Sequence, residues 1–399
     1  AIRRTCTSFQ AGALHVRLAG YPCAVMDSES SAEARSLSTA AVTSDPLTSQ
    51  FASLDDLCPE LSALQDLASR GSWRAILDKV ARARKLSLLP HPHHLLTFLT
   101  YAVIALTKLR RYGDAATEID SLEDLDSDAY WYESYPHIYP NRRGSMVPFS
   151  LRWLHAEIPL KLGKRQETID RLYTLLEFIR KKLREKGSLD LSLSASAWRK
   201  REAFLMNSIV SHHLIAKEHG ACLSLLEDLF NRGHFNARLL SKLGYVQMQI
   251  GDLEGAKVSF GRIEGMAKAG QQEESGSLSV IELKNLVNWN RALIYLVGKD
   301  YVSAVREYEE CIERDSFDII AINNKALCLM YLRDLSDSIK VLENALERAP
   351  TVALNETLVV NLCSMYELAY VNHSDVKRTL SNWIARVAPD DFDSSCTRV

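Results

Sequence analysis

"NWNRALIYLVGKDYVSAVREYEECIERDS" (Asn288–Ser316) and "INNKALCLMYLRDLSDSIKVLENALERAP" (Ile322–Pro350) decide the fold. Placing Ala304 on Ser338 puts Ala292 on Ala326, Tyr308 on Leu342, Cys311 on Ala345 and Ser316 on Pro350, an offset of 34 residues throughout. A fixed period of that length marks a stack of helical hairpins, each burying its apolar face against the next. Three of these pairs, Ala304/Ser338, Ala292/Ala326 and Cys311/Ala345, are small for a steric reason. Two antiparallel helices approach closely only where one side chain is Gly, Ala, Ser or Cys, and larger apolar residues then interlock around the contact.

Working upstream, the same phase recurs with Ala256 in "RLLSKLGYVQMQIGDLEGAKVSFGRI" and Cys222 in "MNSIVSHHLIAKEHGACLSLLEDLF". Weaker copies centre on Thr168, Ala115 and Ile76, so that the marker spacings are 39, 53, 54, 34, 48 and 34. Thirty-four residues is the period of the tetratricopeptide repeat, which these units resemble. The expected fold is therefore all-α: an α-solenoid of about seven tetratricopeptide-type hairpins over 51–390, plus a degenerate C-terminal capping hairpin. The surplus residues place insertions near 130–148, 183–202 and 271–284, each between one repeat's second helix and the next repeat's first. The last two read as polar, Ser-rich mobile loops flanked by extended helices. Residues 1–50 read as a disordered or truncated N-terminal tail and 391–399 as a C-terminal tail.

Composition agrees. Only 17 Gly and 11 Pro interrupt a 399-residue chain that is 47% hydrophobic, which favours long helices. A formal charge of −2 supplies no field that would gather nucleic acid or hold the chain to a membrane surface. No stretch has the roughly 18 apolar residues a spanning helix needs. The eight cysteines are scattered without a C-x-x-C pair, a pattern that suits a reducing cytosol.

No motif for catalysis is present. There is no phosphate-cradling glycine loop, nucleophile elbow or H-E-x-x-H helix. His91, His93 and His94 in "HPHH" fall at an expected inter-repeat turn and read as surface, not metal ligands, while His212 and His213 diverge by about 100° on a helix. "RKKLREK" (180–186) ends a helix, where cations suit the macrodipole. First helices of such repeats line a concave groove. In the sixth unit Leu286, Trp289, Leu293 and Leu296 would face it, apolar enough for a partner helix, although a phase shift of one residue would return Trp289 to the core. The Lys/Asn pair with which co-chaperone repeats grip a C-terminal carboxylate is missing from the corresponding positions of all six first helices aligned.

"DAYWYESYPHIYPNRRGSMVPFS" (Asp128–Ser150) stands apart, with six aromatic residues, three prolines and a paired arginine. Tyr139-Pro140 followed by "RRGSMVPFSLRWLHAE" (Arg142–Glu157) resembles the signature of the subunit 12 family of the trafficking protein particle (TRAPP) tethering complex. The similarity continues through "PLKLGKRQETIDRLYTLL" and "IGDLEGAKVSF" and covers roughly 50–390. That resemblance implies a non-catalytic scaffold with no cofactor and no metal. It would sit in a TRAPP III-like assembly that activates a Rab GTPase in endoplasmic-reticulum-to-Golgi transport, Golgi organisation and autophagy. Exchange activity would belong to small core subunits. Its implied partners are other TRAPP subunits and indirectly the Rab GTPase, with neither nucleic acid nor membrane insertion. Its implied location is cytoplasmic, peripheral at the ER–Golgi intermediate compartment or Golgi. The partner-binding candidates are Tyr130, Trp131, Tyr132, Tyr135, Tyr139, Arg142, Arg143, Met146, Phe149 and Trp289. The aromatic segment reads equally as a seal between repeats two and three.

Overall fold

The computed structural model describes residues 61–89, 91–186, 193–269, 278–348 and 350–397. The expected tail 1–50 and the centres of the second and third insertions lie outside these residues. Two compact units divide near Leu205, with Pro389–Asp391 counted in the first and Phe392 onward in the second. The first unit holds the hairpins α1 (Leu61–Ser69) and α2 (Trp73–Lys85), α3 (Pro92–Lys108) and α4 (Tyr112–Asp120), and α5 (Phe149–Lys161) and α6 (Arg165–Lys186). Helix α7 (Leu193–Ile215) runs from the first unit into the second, where it pairs with α8 (His219–Asn231). The second unit continues with α9 (Ala237–Gln249) and α10 (Leu253–Ala269), then α11 (Val280–Val297) and α12 (Tyr301–Arg314). It closes with α13 (Ile319–Tyr331) and α14 (Leu335–Arg348), the short α15 (Pro350–Ala353), and the capping pair α16 (Glu356–Ala369) and α17 (His373–Val387). Among the described residues there is no strand, only one antiparallel bridge between Trp131 and Ser145.

The seven hairpins are turned by one device. Gly71, Arg110, Gly163, Lys217, Gly251, Lys299 and Arg333 each take a left-handed backbone conformation, with φ between 60° and 90°. The amide after each donates back across the turn, as from Arg111 to Leu106, Glu218 to His213 and Asp334 to Leu329. This is the Schellman closure, which satisfies carbonyls left open at a helix end. Each left-handed residue lies five positions before a marker, so the spacings 39, 53, 54, 34, 48 and 34 recur in the turns. The markers Ile76, Ala115, Thr168, Cys222, Ala256, Ala304 and Ser338 are all 0% exposed. At most of these markers the residue is small, and the reason is visible at Ser338 and Cys222, whose side chains donate to the Ala326 and Val210 carbonyls of the facing helix. Around these contacts pack clusters such as Ile76, Val80, Phe98 and Tyr101 in the first unit, and Leu342, Leu346, Leu358 and Leu362 in the second. At Gly244 the approach is close: the Phe260 ring occupies the space a Cβ would need.

The insertions differ from the loops expected. Residues 183–186 and 193–202 are helical, extending α6 and α7, so the second insertion is mostly helix, with 187–192 outside the described residues. The third ends in a capping box, Ser279 with Glu282, that opens α11. Trp289 is not a free groove residue. It packs against two clusters, one with Phe260 and Leu286 and the other with Ala304 and Tyr308, because its helix phase turns it inward between repeats.

Candidate interaction site

Helix α4 ends at Asp120, so the irregular segment begins some nine residues before the insertion expected at 130. Prolines 136, 140 and 148 forbid helix there, since each lacks an amide hydrogen and biases its predecessor toward extended backbone. The chain instead forms two short 3-10 turns, Asp128–Tyr130 and Tyr132–Ser134. Its ends then close on each other. The Tyr132 amide donates to the Gly144 carbonyl at 3.0 Å and the Met146 amide to the Tyr130 carbonyl at 2.7 Å. Both Glu133 carboxylate oxygens accept from the Gly144 amide, at 2.9 and 3.1 Å. The result is a compact loop closed by its own backbone.

Three anchors fix this loop to the first unit. Tyr139 is buried, with its hydroxyl 2.5 Å from Nδ1 of His93 and its ring edge-on to both His93 and Tyr132. Arg152 of α5, 9% exposed, is the second. It pairs with Asp126 at 2.8 Å, donates to the Leu125 carbonyl at 3.1 Å and the Ser145 hydroxyl at 3.2 Å, and lies 4.8 Å from the Phe178 ring centre. Buried Met146 and Phe149 form the third, with Phe149 edge-on to Phe204. Tyr130 donates to the Leu122 carbonyl and Trp131 to that of Asp126.

The histidines expected at a surface turn are instead the loop's seat. His91, His93 and His94 crowd at the start of α3 with ring centres 4.1–5.8 Å apart. Burial first, then the neighbouring His94, His91 and Arg142, push His93 down to about 4, and burial with His91 lowers His94. His93 is therefore neutral at physiological pH, as a helix N-terminus prefers. Among the described residues no group of three His, Cys, Asp or Glu is placed to hold a metal ion. Burial also pushes the Cys222 thiol up to about 11 and those of Cys311 and Cys328 to about 12, far from the thiolate a nucleophile requires.

The margins of the first and second insertions meet. Lys182 lies over Trp131, Arg201 over Phe149 and Trp198, and Phe178 edge-on to Trp198. Arg180 pairs with Glu202, itself 3% exposed, tying α6 to α7. Of the ten candidate residues, then, Tyr139, Met146 and Phe149 are corrected from partner-facing to packing, because their surface is already covered within the chain. Tyr130, Trp131, Tyr132 and Tyr135 are half-buried, while Arg142 and Arg143 are exposed beside Ile138 at the tip. Arg142 lies 5.9 Å from the Tyr132 ring centre. Arg152 was not among the candidates. Its signal was a lone cation inside the apolar run "FSLRWL" (149–154).

No protein-family model matches the chain. Two curated relatives do. The mouse trafficking protein particle complex subunit 12 is 31% identical over 361 residues, 84% of this chain. The human protein of the same name is 29% identical over 373 residues, 88% of this chain. Over most of its own length this chain is similar to TRAPP complex subunit 12. It covers 44% of the mouse protein and 50% of the human one, so it spans about half their length. Solved structures are more loosely alike. Human IFIT1, solved as a dimer with m7Gppp-AAAA, gives a TM-score of 0.40 at 14% identity over 80% of this chain and 66% of that one. Yeast Tom70 gives 0.36 at 13% identity over 82% and 84%. The chain thus has its helical-hairpin fold from its own turns and cores, and its candidate surface at the Ile138–Arg143 tip.

Proposed function

We propose that this chain is a non-catalytic scaffold subunit of a TRAPP III-like complex that tethers vesicles and activates a Rab GTPase. The processes it serves are endoplasmic-reticulum-to-Golgi transport, Golgi organisation and autophagy. The observation that carries the proposal is the similarity to TRAPP subunit 12 along 84% of the chain. The exchange chemistry is assigned to other subunits, and this chain contributes surfaces. Its location is cytoplasmic and peripheral at the ER–Golgi intermediate compartment or Golgi. Among the described residues no helix is long and apolar enough to cross a membrane.

The surface we assign to partner contact is the exposed tip of the aromatic loop. Arg142 and Arg143 pair there with acidic groups on another subunit, flanked by Ile138 and the rims of Tyr132 and Tyr135. Planar guanidinium groups beside aromatic rings suit a desolvated interface with carboxylates. Purifying the tagged full-length chain from cells and identifying its companions by mass spectrometry tests the proposal. TRAPP subunits should co-purify with the native chain and be depleted with the Arg142→Ala/Arg143→Ala variant. A companion set from a different multiprotein complex would replace this reading with that of a general repeat adaptor.

A further inference from the structure

Arg142-Arg143-Gly144-Ser145-Met146 sets two guanidinium groups shortly before a serine and an aliphatic side chain directly after it. Protein kinases select substrates by charge pattern, and an arginine pair so placed suits a kinase whose substrate cleft is acidic. The same spacing recurs at Arg84-Lys85-Leu86-Ser87-Leu88, so the pattern alone does not single out one serine. The surroundings do. The Ser145 hydroxyl accepts at 3.2 Å from the Arg152 guanidinium and at 3.2 Å from the Val147 amide. A guanidinium and a backbone amide are the donors that hold phosphate oxygens best. Ser87 instead follows α2 on a left-handed residue, and its neighbour Arg84 is already paired with both carboxylate oxygens of Glu118.

Arg152 is fixed before any phosphate arrives, buried on α5 with its guanidinium against the Phe178 ring and the Leu125 carbonyl. A phosphate on Ser145 Oγ carries about two negative charges and three acceptor oxygens. Against that guanidinium a neutral hydrogen bond becomes a doubly charged one. Two carboxylates oppose it: Asp126 shares Arg152, and Glu133 sits on the Gly144 amide. Both are exposed and screened by water, whereas Arg152 is buried, so the attraction outweighs the repulsion. Access follows the loop's own opening. Ser145 is partly exposed, but Met146 after it is buried and bonded through its amide to the Tyr130 carbonyl. A kinase therefore takes the open loop, and the phosphate then seals the closed one.

We propose that Ser145 is the phosphorylation site of an arginine-directed serine kinase, and that Arg152 receives the phosphate and locks the aromatic loop shut. The kinase brings MgATP. Ser145 Oγ attacks the γ-phosphorus, and the Oγ–P bond forms as the bond from that phosphorus to the β–γ bridging oxygen breaks. ADP leaves, and the hydroxyl proton passes to the kinase's catalytic carboxylate. The consequence at the tip is electrostatic. The phosphate's charge lies beside Arg142 and Arg143 in the chain and offsets the pair that meets acidic groups on a partner, so modification releases that partner. This release rests on the reading of the tip as a subunit contact; the phosphate seat at Arg152 does not.

The full chain is incubated with MgATP and the catalytic subunit of a cyclic-AMP-dependent protein kinase, and fragment mass spectrometry locates the phosphate. Ser145 should be modified, and Arg142→Ala/Arg143→Ala should slow that modification by about tenfold or more. In the modified chain, hydrogen exchange at the Tyr132 and Met146 amides should slow by about tenfold. Arg152→Met should be modified faster, because its loop opens more often, yet show no slowing of exchange afterwards. Arg152→Lys, which keeps the charge, should restore part of the slowing. No phosphate on the native chain, phosphate on Ser87 alone, or exchange unchanged or faster after modification of Ser145 would each overturn the proposal. In a pull-down the phosphorylated chain should recover fewer TRAPP subunits than the unmodified one, and equal recovery would overturn the release. An unmodified chain that recovers none would remove the assembly reading and leave the Ser145–Arg152 result to stand on its own.

Discussion

Replacing Arg152 with Met should release the aromatic loop without melting the hairpins. The guanidinium makes four interactions of unequal worth. Its pair with Asp126 is largely solvated, since that carboxylate is 56% exposed, and contributes about 0.5 kcal/mol. The bond to the Leu125 carbonyl is made by a buried charged donor and contributes about 1.5–2 kcal/mol. Contact with the Phe178 ring at 4.8 Å adds about 1 kcal/mol, and the Ser145 hydroxyl a fraction more. Methionine keeps the stem packed but leaves the Leu125 carbonyl unpaired, for a net cost of about 3 kcal/mol. At 1.36 kcal/mol per tenfold, the open population of the loop rises about 150-fold. The readout is hydrogen exchange at the amides of Tyr132 and Met146, which close the loop on the Gly144 and Tyr130 carbonyls. Their exchange should accelerate by about two orders of magnitude while far-UV helicity changes little. Unchanged protection would refute the anchoring argument, and loss of helicity would show that Arg152 supports the hairpin itself.

Other perturbations follow the same physics. At Gly244 an added Cβ would sit 2.3 Å from the Phe260 ring, so Gly244→Ala should cost about 2–3 kcal/mol in urea unfolding. Gly261→Ala on α10, where nothing lies within 4 Å, should gain up to about 1 kcal/mol from helix propensity. Ala304→Leu, at a marker with 0% exposure, should lower the thermal midpoint by several degrees, and Val302→Leu, half exposed nearby, should not. His93 is held near 4 when folded against 6.5 when unfolded, so the unfolded chain binds the extra proton. Its contribution is fully present above pH 6.5 and declines as pH falls toward 4. After allowance for its partial exposure, about 1–2 kcal/mol is lost, and His93→Gln should flatten that limb of an acid titration.

The repeat was legible because its constraint is steric and local. A small residue where two helices touch, and a left-handed turn five residues earlier, recur whatever the surrounding composition. Even so, Arg110, Lys217, Lys299 and Arg333 hold that turn without glycine, so the turn alone could not have been read from glycine positions. Trp289 stood open between groove and core for a different reason. Helix phase near a contact decides between groove and core within one residue, and packing against two clusters settles it. The aromatic loop was recognisable as an anomaly but not as a structure. What seats it is His93, 46 residues upstream, and Arg152, whose meaning depends on the Leu125 carbonyl it reaches. Pairings across such separations leave no periodic trace.

A loop inserted between stacked hairpins has two conflicting tasks. It must leave the contact between its neighbouring hairpins intact, because in a solenoid each unit is stabilised by the next. It must also offer side chains that the repeats cannot supply. The structure separates these tasks along the loop. Tyr139, Met146 and Phe149, with Arg152 reaching in from α5, cover the apolar and polar surface the insertion would otherwise expose. The backbone closure at Tyr130–Met146 and Tyr132–Gly144 sets the tip apart from Met146, Phe149 and Arg152, while Tyr139 anchors it from within. Around buried Tyr139 the side chains of Ile138, Arg142 and Arg143 are exposed. Tip substitutions should therefore move partner binding and leave unfolding alone, while anchor substitutions should move both. A tip variant that lowered stability by more than about 0.5 kcal/mol, the range of ordinary surface changes, would mean that the arginines belong to the packing after all.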